Sequence, residues 1–381
     1  MHLVDTTMFF ALEGGGVRRY LLAKRDWLGR HTTIRHTILA PGGSDSISTG
    51  GVVTVKSLPM FFSSGYRFPI RLARWRRQII DLNPDLIEAG DPYGPAWAAL
   101  KAGRQLGVPV VGFYHSDLVR LVQIRFGNGG ERAGIQYVRR LYQGFDAVVA
   151  PSRFTCEKLQ MLGIERVVRQ PLGVDTQIFH PARRDPRLRQ QLGLAEDARL
   201  LVFAGRFARE KNLPVLLAAL KRLGKPYHLL LVGSGAPVKP QPNLTVYPYQ
   251  TSDEKLARLI ASCDALIHAG QQETFGLVVL EAMACGLPVV AMQQGAVAEL
   301  IDDSYGIAVR TATGKAFAEA IEALYARDLA MLGRRAREVA ESTYGWGPVM
   351  HSLLGFYRSQ LAPAYTEVRE APAREEVYVC R

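Results

Sequence analysis

The stretch from Asp264 to Met292 constrains the fold most. DALIHAG is a short apolar run suited to a buried strand. LVVLEAMAC holds good helix formers without Pro or Gly and is closed by Gly286 and Pro288. A second apolar run, PVVAM, follows at once. Strand, short loop, helix and strand make a βαβ unit, and the ligand of such a unit sits beyond the carboxyl ends of its strands. The loop at that edge, Gln271 to Gly276, carries Glu273, and Glu281 lies just over one turn inside the helix. Two carboxylates so spaced can face one pocket beside the free N–H groups of the helix start. Those N–H groups suit a phosphate. Ionised carboxylates only accept hydrogen bonds, and they suit the hydroxyls of a sugar.

At 381 residues the chain is too long for one ordinary core and fits two Rossmann-sized domains. Cys156, Cys263, Cys285 and Cys380 form no CxxC pair and have no clustered His, which argues against a disulfide framework or a zinc site and fits a reducing cytoplasm. No apolar run approaches the roughly 18 residues of a membrane span. The N-terminus lacks the basic leader and apolar core of a signal peptide, so any membrane contact is expected to be peripheral. The net charge is +12 and most of the surplus lies in residues 1–180. Such a field favours anionic partners.

In the N-terminal half, HLVDTTMFF reads as a strand that leads through Glu13, Gly14, Gly15 and Gly16 into an amphipathic helix. Arg18 and Arg19 stand where a dinucleotide fingerprint needs its last glycine. Met60 to Arg77 mixes Phe61, Phe62, Tyr66, Phe68 and Trp75 with five arginines, as a segment lying on an anionic membrane would; the rival reading packs its apolar residues inward. Asp85 to Glu88 gives a strand ending at a polar edge, and Val110 to Tyr114 another that ends in His115, Ser116 and Asp117. Residues 120–143 form a basic helix, and Ser152 caps the next one.

The charge balance relaxes beyond Pro181, which marks a domain boundary. Leu200 to Ala204 is then a buried strand, Gly205 to Lys211 a polar loop and Leu213 to Leu223 a helix. Gly233 and Gly235 resemble a dinucleotide motif only superficially, because Pro237, Pro240 and Pro242 keep a helix from starting there. Their expected use is a close approach of a ligand to the backbone. A nicotinamide-dependent oxidoreductase is therefore disfavoured. A turn around Tyr247 to Tyr249 follows, Ser252 or Asp253 caps a helix, and two helices at Gly314–Ala326 and Leu329–Ser342 precede a last one.

The string ETFGLVVLEAMACGLPVV resembles the Glu-x7-Glu signature of retaining family 4 glycosyltransferases. The resemblance runs from about residue 10 to 360. It implies an α/β fold of the GT-B type, two Rossmann-like domains facing an interdomain cleft, with residues 1–180 on the acceptor side and 181–345 binding a nucleotide sugar. Residues 346–361 would cross back to the first domain, and 362–381 form a loose tail. By the same resemblance Arg206 and Lys211 hold the donor diphosphate, Glu273 binds sugar hydroxyls, Glu281 binds ribose hydroxyls and His115 orients the sugar. Gly15, Gly16, Gly205, Gly233, Thr274, Phe275, Gly276 and Leu277 line the donor site. There is no Asp-x-Asp pair, and Arg206, Lys211 and the helix start at Phe275 to Leu277 would replace a metal. No cofactor is then required beyond the UDP- or GDP-hexose donor. The expected partners are that donor, a lipid or glycan acceptor and an anionic membrane at its inner, cytoplasmic face, with no nucleic acid. A soluble small acceptor, or a non-enzymatic protein that binds anionic membranes, are the alternatives.

Overall fold

The computed structural model describes residues 1–11, 15–48, 50–60 and 65–361. Glu13, Gly14, Phe61, Phe62 and the tail after Leu361 lie outside the described residues. The chain forms two compact units, Leu172–Pro348 and the remainder, which is Met1–Pro171 with the chain from Val349 onward. The stretch Leu172–His180, expected in the first domain from the boundary at Pro181, is part of the second unit.

The first unit holds β1 (His2–Thr6), α1 (Gly16–His31), β2 (Arg35–Gly42), β3 (Ser46–Ile47), β4 (Val52–Lys56), β5 (Leu58–Pro59) and β6 (Arg67–Phe68). Then come α2 (Leu72–Leu82), β7 (Leu86–Ala89), α3 (Gly94–Leu106), β8 (Val110–Phe113), α4 (Leu118–Tyr142), β9 (Ala147–Ala150), α5 (Arg153–Met161) and β10 (Val167–Arg169). Its main sheet has the order β10-β9-β8-β7-β1-β2-β4-β3, parallel except where β3 meets β4. Winding therefore reverses between β1 and β7. β1, β7, β8 and β9 are buried along their whole length, as strands covered on both faces must be. Ser152 caps α5 in a box with Thr155. The basic helix α4 runs through a non-helical Gly127 (φ 64, ψ −156).

Charge is buried inside this core. Lys24 of α1 places Nζ 2.9 Å from Asp5 Oδ1 and 3.1 Å from Glu88 Oε1, and it donates to Tyr357 Oη at 2.6 Å. Tyr357 in turn donates to Glu88 Oε2, Tyr20 donates to Glu88 Oε1, and His36 Nε2 lies 2.7 Å from Asp5 Oδ2. Burial opposes ionisation of both acids. At Asp5 the Lys24 and His36 partners outweigh it and hold the pKa below the usual range, whereas at Glu88 burial prevails and raises it. Glu88, expected at a polar edge, is 1% exposed. Tyr357 lies on the last helix, α12 (Trp346–Leu361), whose Val349 carbonyl and Ser352 hydroxyl also bond Gln170.

The second unit holds α6 (Leu188–Gln191), β11 (Arg199–Ala204), α7 (Leu213–Leu223), β12 (Tyr227–Val232), β13 (Leu244–Tyr247), α8 (Asp253–Ala261) and β14 (Ala265–His268). α9 (Leu277–Ala284), β15 (Val289–Met292), β16 (Gly306–Val309), α10 (Gly314–Tyr325) and α11 (Leu329–Tyr344) complete it. Its six strands are parallel in the order β13-β12-β11-β14-β15-β16. Numbered along the unit this is 3-2-1-4-5-6, the Rossmann winding, whose ligand crevice opens at the carboxyl ends of strands one and four. Those strands are β11 and β14. Ser252 caps α8 by accepting from Lys255 N at 3.2 Å. Among the described residues, no helix is long and apolar enough to cross a membrane.

Candidate active site

The crevice of the second unit is built from the two loops that leave β11 and β14. Apolar strands deliver them there: Leu200–Ala204 and Ala265–Ile267 are at most 5% exposed, so the first polar residues emerge only at the edge. From the β11 side, a turn of 3-10 helix at Arg209–Lys211 brings Lys211 Nζ onto Glu273 Oε1 from the β14 side. The two groups that the sequence assigns to the diphosphate and to the sugar are thus partners. His268 Nε2 lies 3.2 Å from the same carboxylate oxygen. Burial pushes the Glu273 pKa up, but the Lys211 charge and the neighbouring His268 outweigh it and hold the group well below the usual carboxylate range. Glu273 is ionised at every pH of interest. Ala296 N donates to the Glu273 carbonyl at 3.3 Å, which ties the loop to the turn after β15.

Arg206 reaches outward, with its side chain 76% exposed and Nη2 3.4 Å from Glu210 Oε1. So exposed a pair contributes little to stability and leaves the guanidinium available. Gly205 follows β11, and a Cβ on Gly233 would lie 1.8 Å from its carbonyl oxygen. Phe207 N donates to Ser234 O at 2.7 Å, and Ala236 N to Phe207 O at 3.0 Å. Gly233 thus permits a close approach between the loops after β11 and β12.

Gly276 is the N-cap of α9 with φ 105, a conformation that favours glycine, and Leu277 begins the helix. Thr274 is half-buried and Phe275 is 4% exposed, edge-on to Tyr344 at 6.2 Å. Glu281 lies within α9 at 4% exposure, so it is no solvated helix residue.

His115, Gly15 and Gly16 belong to the first unit. Gly15 caps α1 and Gly16 opens it; a Cβ at Gly15 would meet nothing within 4 Å, so the position has room. His115 follows β8, stacks on Phe113 at 3.8 Å and tilts against Tyr20 at 5.0 Å. Burial brings its pKa down to about 3, with the Lys24 charge acting the same way. It is a neutral imidazole at physiological pH.

Two groups escaped the sequence reading. His268 lay unremarked within the apolar run DALIHAG, and its place directly before Ala269 and Gly270, where the loop begins, was the available signal; it is 1% exposed. Asp91, beyond β7, accepts from Thr7 Oγ1 at 2.7 Å and Met8 N at 2.6 Å, closing the β1/β7 switch point of the first unit. Burial pushes its pKa up to about 6.

The Met60–Arg77 segment divides between its two readings. Trp75 is fully buried and donates Nε1–H to Thr6 Oγ1 at 2.7 Å, whereas Phe68 is 49% and Ile70 59% exposed.

Comparison with known proteins agrees with this architecture. Residues 14–178 match the family described as Glycosyltransferase Family 4, and residues 184–341 match Glycosyl transferases group 1. A GDP-mannose-dependent alpha-mannosyltransferase of Mycobacterium tuberculosis (strain CDC 1551 / Oshkosh) is 34% identical over 232 residues, which are 60% of this chain and 60% of that protein. The matched stretch is thus about three-fifths of that relative's length. A GDP-mannose-dependent alpha-(1-6)-phosphatidylinositol dimannoside mannosyltransferase of Mycobacterium tuberculosis (strain ATCC 25177 / H37Ra) is 29% identical over 93% of this chain and 95% of its own. Among solved structures, sucrose-phosphate synthase from Thermosynechococcus elongatus superposes with a TM-score of 0.79 at 19% identity, over 96% of this chain and all of the other. With two Rossmann-like domains of the GT-B fold and both halves matched, the chain belongs to glycosyltransferase family 4.

Proposed function

We propose that the protein is a retaining glycosyltransferase that moves a hexose from a nucleoside-diphosphate donor to an acceptor hydroxyl. The observation that carries this is the Lys211–Glu273 pair at the β11/β14 switch point, a cation and a hydroxyl acceptor side by side where a Rossmann unit receives its ligand. Lys211, Arg206 and the N-terminus of α9 balance the charge that builds on the leaving diphosphate, more strongly in the transition state than before it, and so do without a metal. Glu273 accepts from the sugar hydroxyls and Glu281 from the ribose. His115, neutral, orients the sugar by hydrogen bonding. Transfer takes place on one face: a donor phosphate oxygen takes the acceptor proton as the new C–O bond forms and the bond from sugar to phosphate breaks.

The names of the relatives make GDP-mannose the first donor to try, ahead of UDP-glucose and UDP-glucuronate. The proposed acceptor is a membrane lipid or envelope glycan. Leu58, Met60, Phe68, Ile70 and Leu72 stand exposed beside Arg71, the composition of a face that rests on anionic lipid at the cytoplasmic side.

A thermal-shift screen against GDP, UDP, ADP and their sugar conjugates tests the reading. One nucleotide should raise the melting temperature of the wild type by mass action, and Glu281→Ala should abolish the shift. If no nucleotide or nucleotide sugar stabilises the wild type, the reading is overturned, and binding to anionic vesicles without donor chemistry takes its place.

A further inference from the structure

Glu273 has a second partner that faces it from beneath. His268 ends β14 with its ring buried beside Phe203, the centroids 6.0 Å apart and the planes 24° from parallel. Nε2 lies 3.2 Å from Glu273 Oε1 but out of line for a full hydrogen bond, and Nδ1 is likewise buried with no hydrogen-bond partner. Buried N–H groups far from any acceptor are rare, so a ring proton is better placed on Nε2, beside the carboxylate, than on Nδ1.

Gly270 makes the contact possible. A Cβ at that position would lie 2.6 Å from His268 Cε1 and 3.2 Å from Glu273 Oε1. Its φ lies outside the left-handed region, so space alone excludes alanine there.

We infer that His268 is a positioning residue for Glu273: as a bound diphosphate draws Lys211 away, the Nε2–H group 3.2 Å from Oε1 closes into a hydrogen bond that holds the carboxylate toward the sugar hydroxyls. This rests on the reading of Glu273 given above. Lys211 has three N–H donors to divide between Glu273 and a diphosphate. The more of them the diphosphate takes, the more the aim of the carboxylate depends on a partner that cannot turn away, and a buried imidazole in a strand is such a partner. His268 touches neither nucleotide nor sugar itself.

The assignment separates sugar from nucleotide. Isothermal titration of the full-length chain with GDP and GDP-mannose, and with UDP and UDP-glucose, gives the affinity gained from the sugar. In His268→Phe, which keeps an aromatic ring and removes the donor, affinity for the bound sugar conjugate should fall about 10- to 100-fold, the range for a hydrogen bond to a charged group. Affinity for the bare nucleotide should stay close to wild type. His268→Gln, whose amide can donate from a similar place, should recover most of the loss, and Gly270→Ala should reproduce it by displacing the ring. Equal losses for nucleotide and conjugate, no loss for either, or no recovery in His268→Gln would overturn the assignment. If the wild type binds neither pair, the glycosyltransferase reading itself fails and takes this assignment with it. Should His268→Phe not fold, the same ratio in Gly270→Ala and His268→Gln decides.

Discussion

The two units share a winding that reverses beside their first strand, yet they put their charges in different places. In the first, Lys24, Asp5 and Glu88 lie in the body of the core, at most 2% exposed, with Tyr20, Tyr357 and His36 supplying further partners. In the second, Lys211 and Glu273 stand at the sheet edge with side chains 16% and 18% exposed. A buried network whose members satisfy one another has no capacity left for a ligand and specifies packing. A pair at an open edge can exchange one partner for another at little cost. On the proposed reading, the Lys24 cluster serves the fold and the Lys211–Glu273 pair serves the chemistry.

That division breaks if the wrong property responds. The largest effect is expected from Lys24→Met, which leaves two buried acids without their cation; stability should drop by about 3–5 kcal/mol in denaturant melts. Nucleotide affinity of the fraction that remains folded should not change. Lys211→Ala should behave the other way, lowering turnover about 10²- to 10³-fold while weakening donor binding much less and leaving the melting temperature nearly unchanged. Equal loss of turnover and binding would remove Lys211 from the transition state. A large stability loss would erase the contrast with Lys24.

Asp91 sharpens the comparison with a smaller effect. Its folded pKa of about 6 lies above the ordinary 3.8, so between those values the native state holds a proton that the unfolded chain has released. Its contribution to stability therefore declines as pH rises from about 4 to 6 and stays low above that. Asp91→Asn has no proton to lose. It should stabilise the chain by about 1–2 kcal/mol at pH 7.5 and by nothing at pH 3.5, read from denaturation midpoints at the two values. A gain that is the same at both would show that packing, and not ionisation, is responsible.

The sequence carried the second unit further than the first. Strand, loop and helix around Glu273 follow from local patterns, since an apolar run, a glycine and a run of helix formers fix where the loop must fall. Thr313 and Asp328 cap α10 and α11 as such residues do at helix starts, for the same local reason. Lys24 shows the limit. Its helix reads as amphipathic, and a lysine there is assigned to water; only the pairing of β1 with β7 brings two acids under it. The signal available was the acids themselves, since Asp5 and Glu88 stand in short buried strands and a parallel strand buried on both faces has no solvent to offer them. His268 was missed for a similar reason. Which ring atom meets Glu273 depends on how far the loop folds back, and Gly270 decides that through space, not through sequence pattern.

The Tyr357 hydroxyl also sets an order of events during synthesis. Domains generally fold as units, the N-terminal one first as it leaves the ribosome. Here the first unit is short of one partner for Lys24 and Glu88 until the chain has been extended past the whole second unit to residue 357. The half that emerges first is the half that finishes last, and a ribosome that stops before α12 releases a first domain with its buried ionic cluster incomplete.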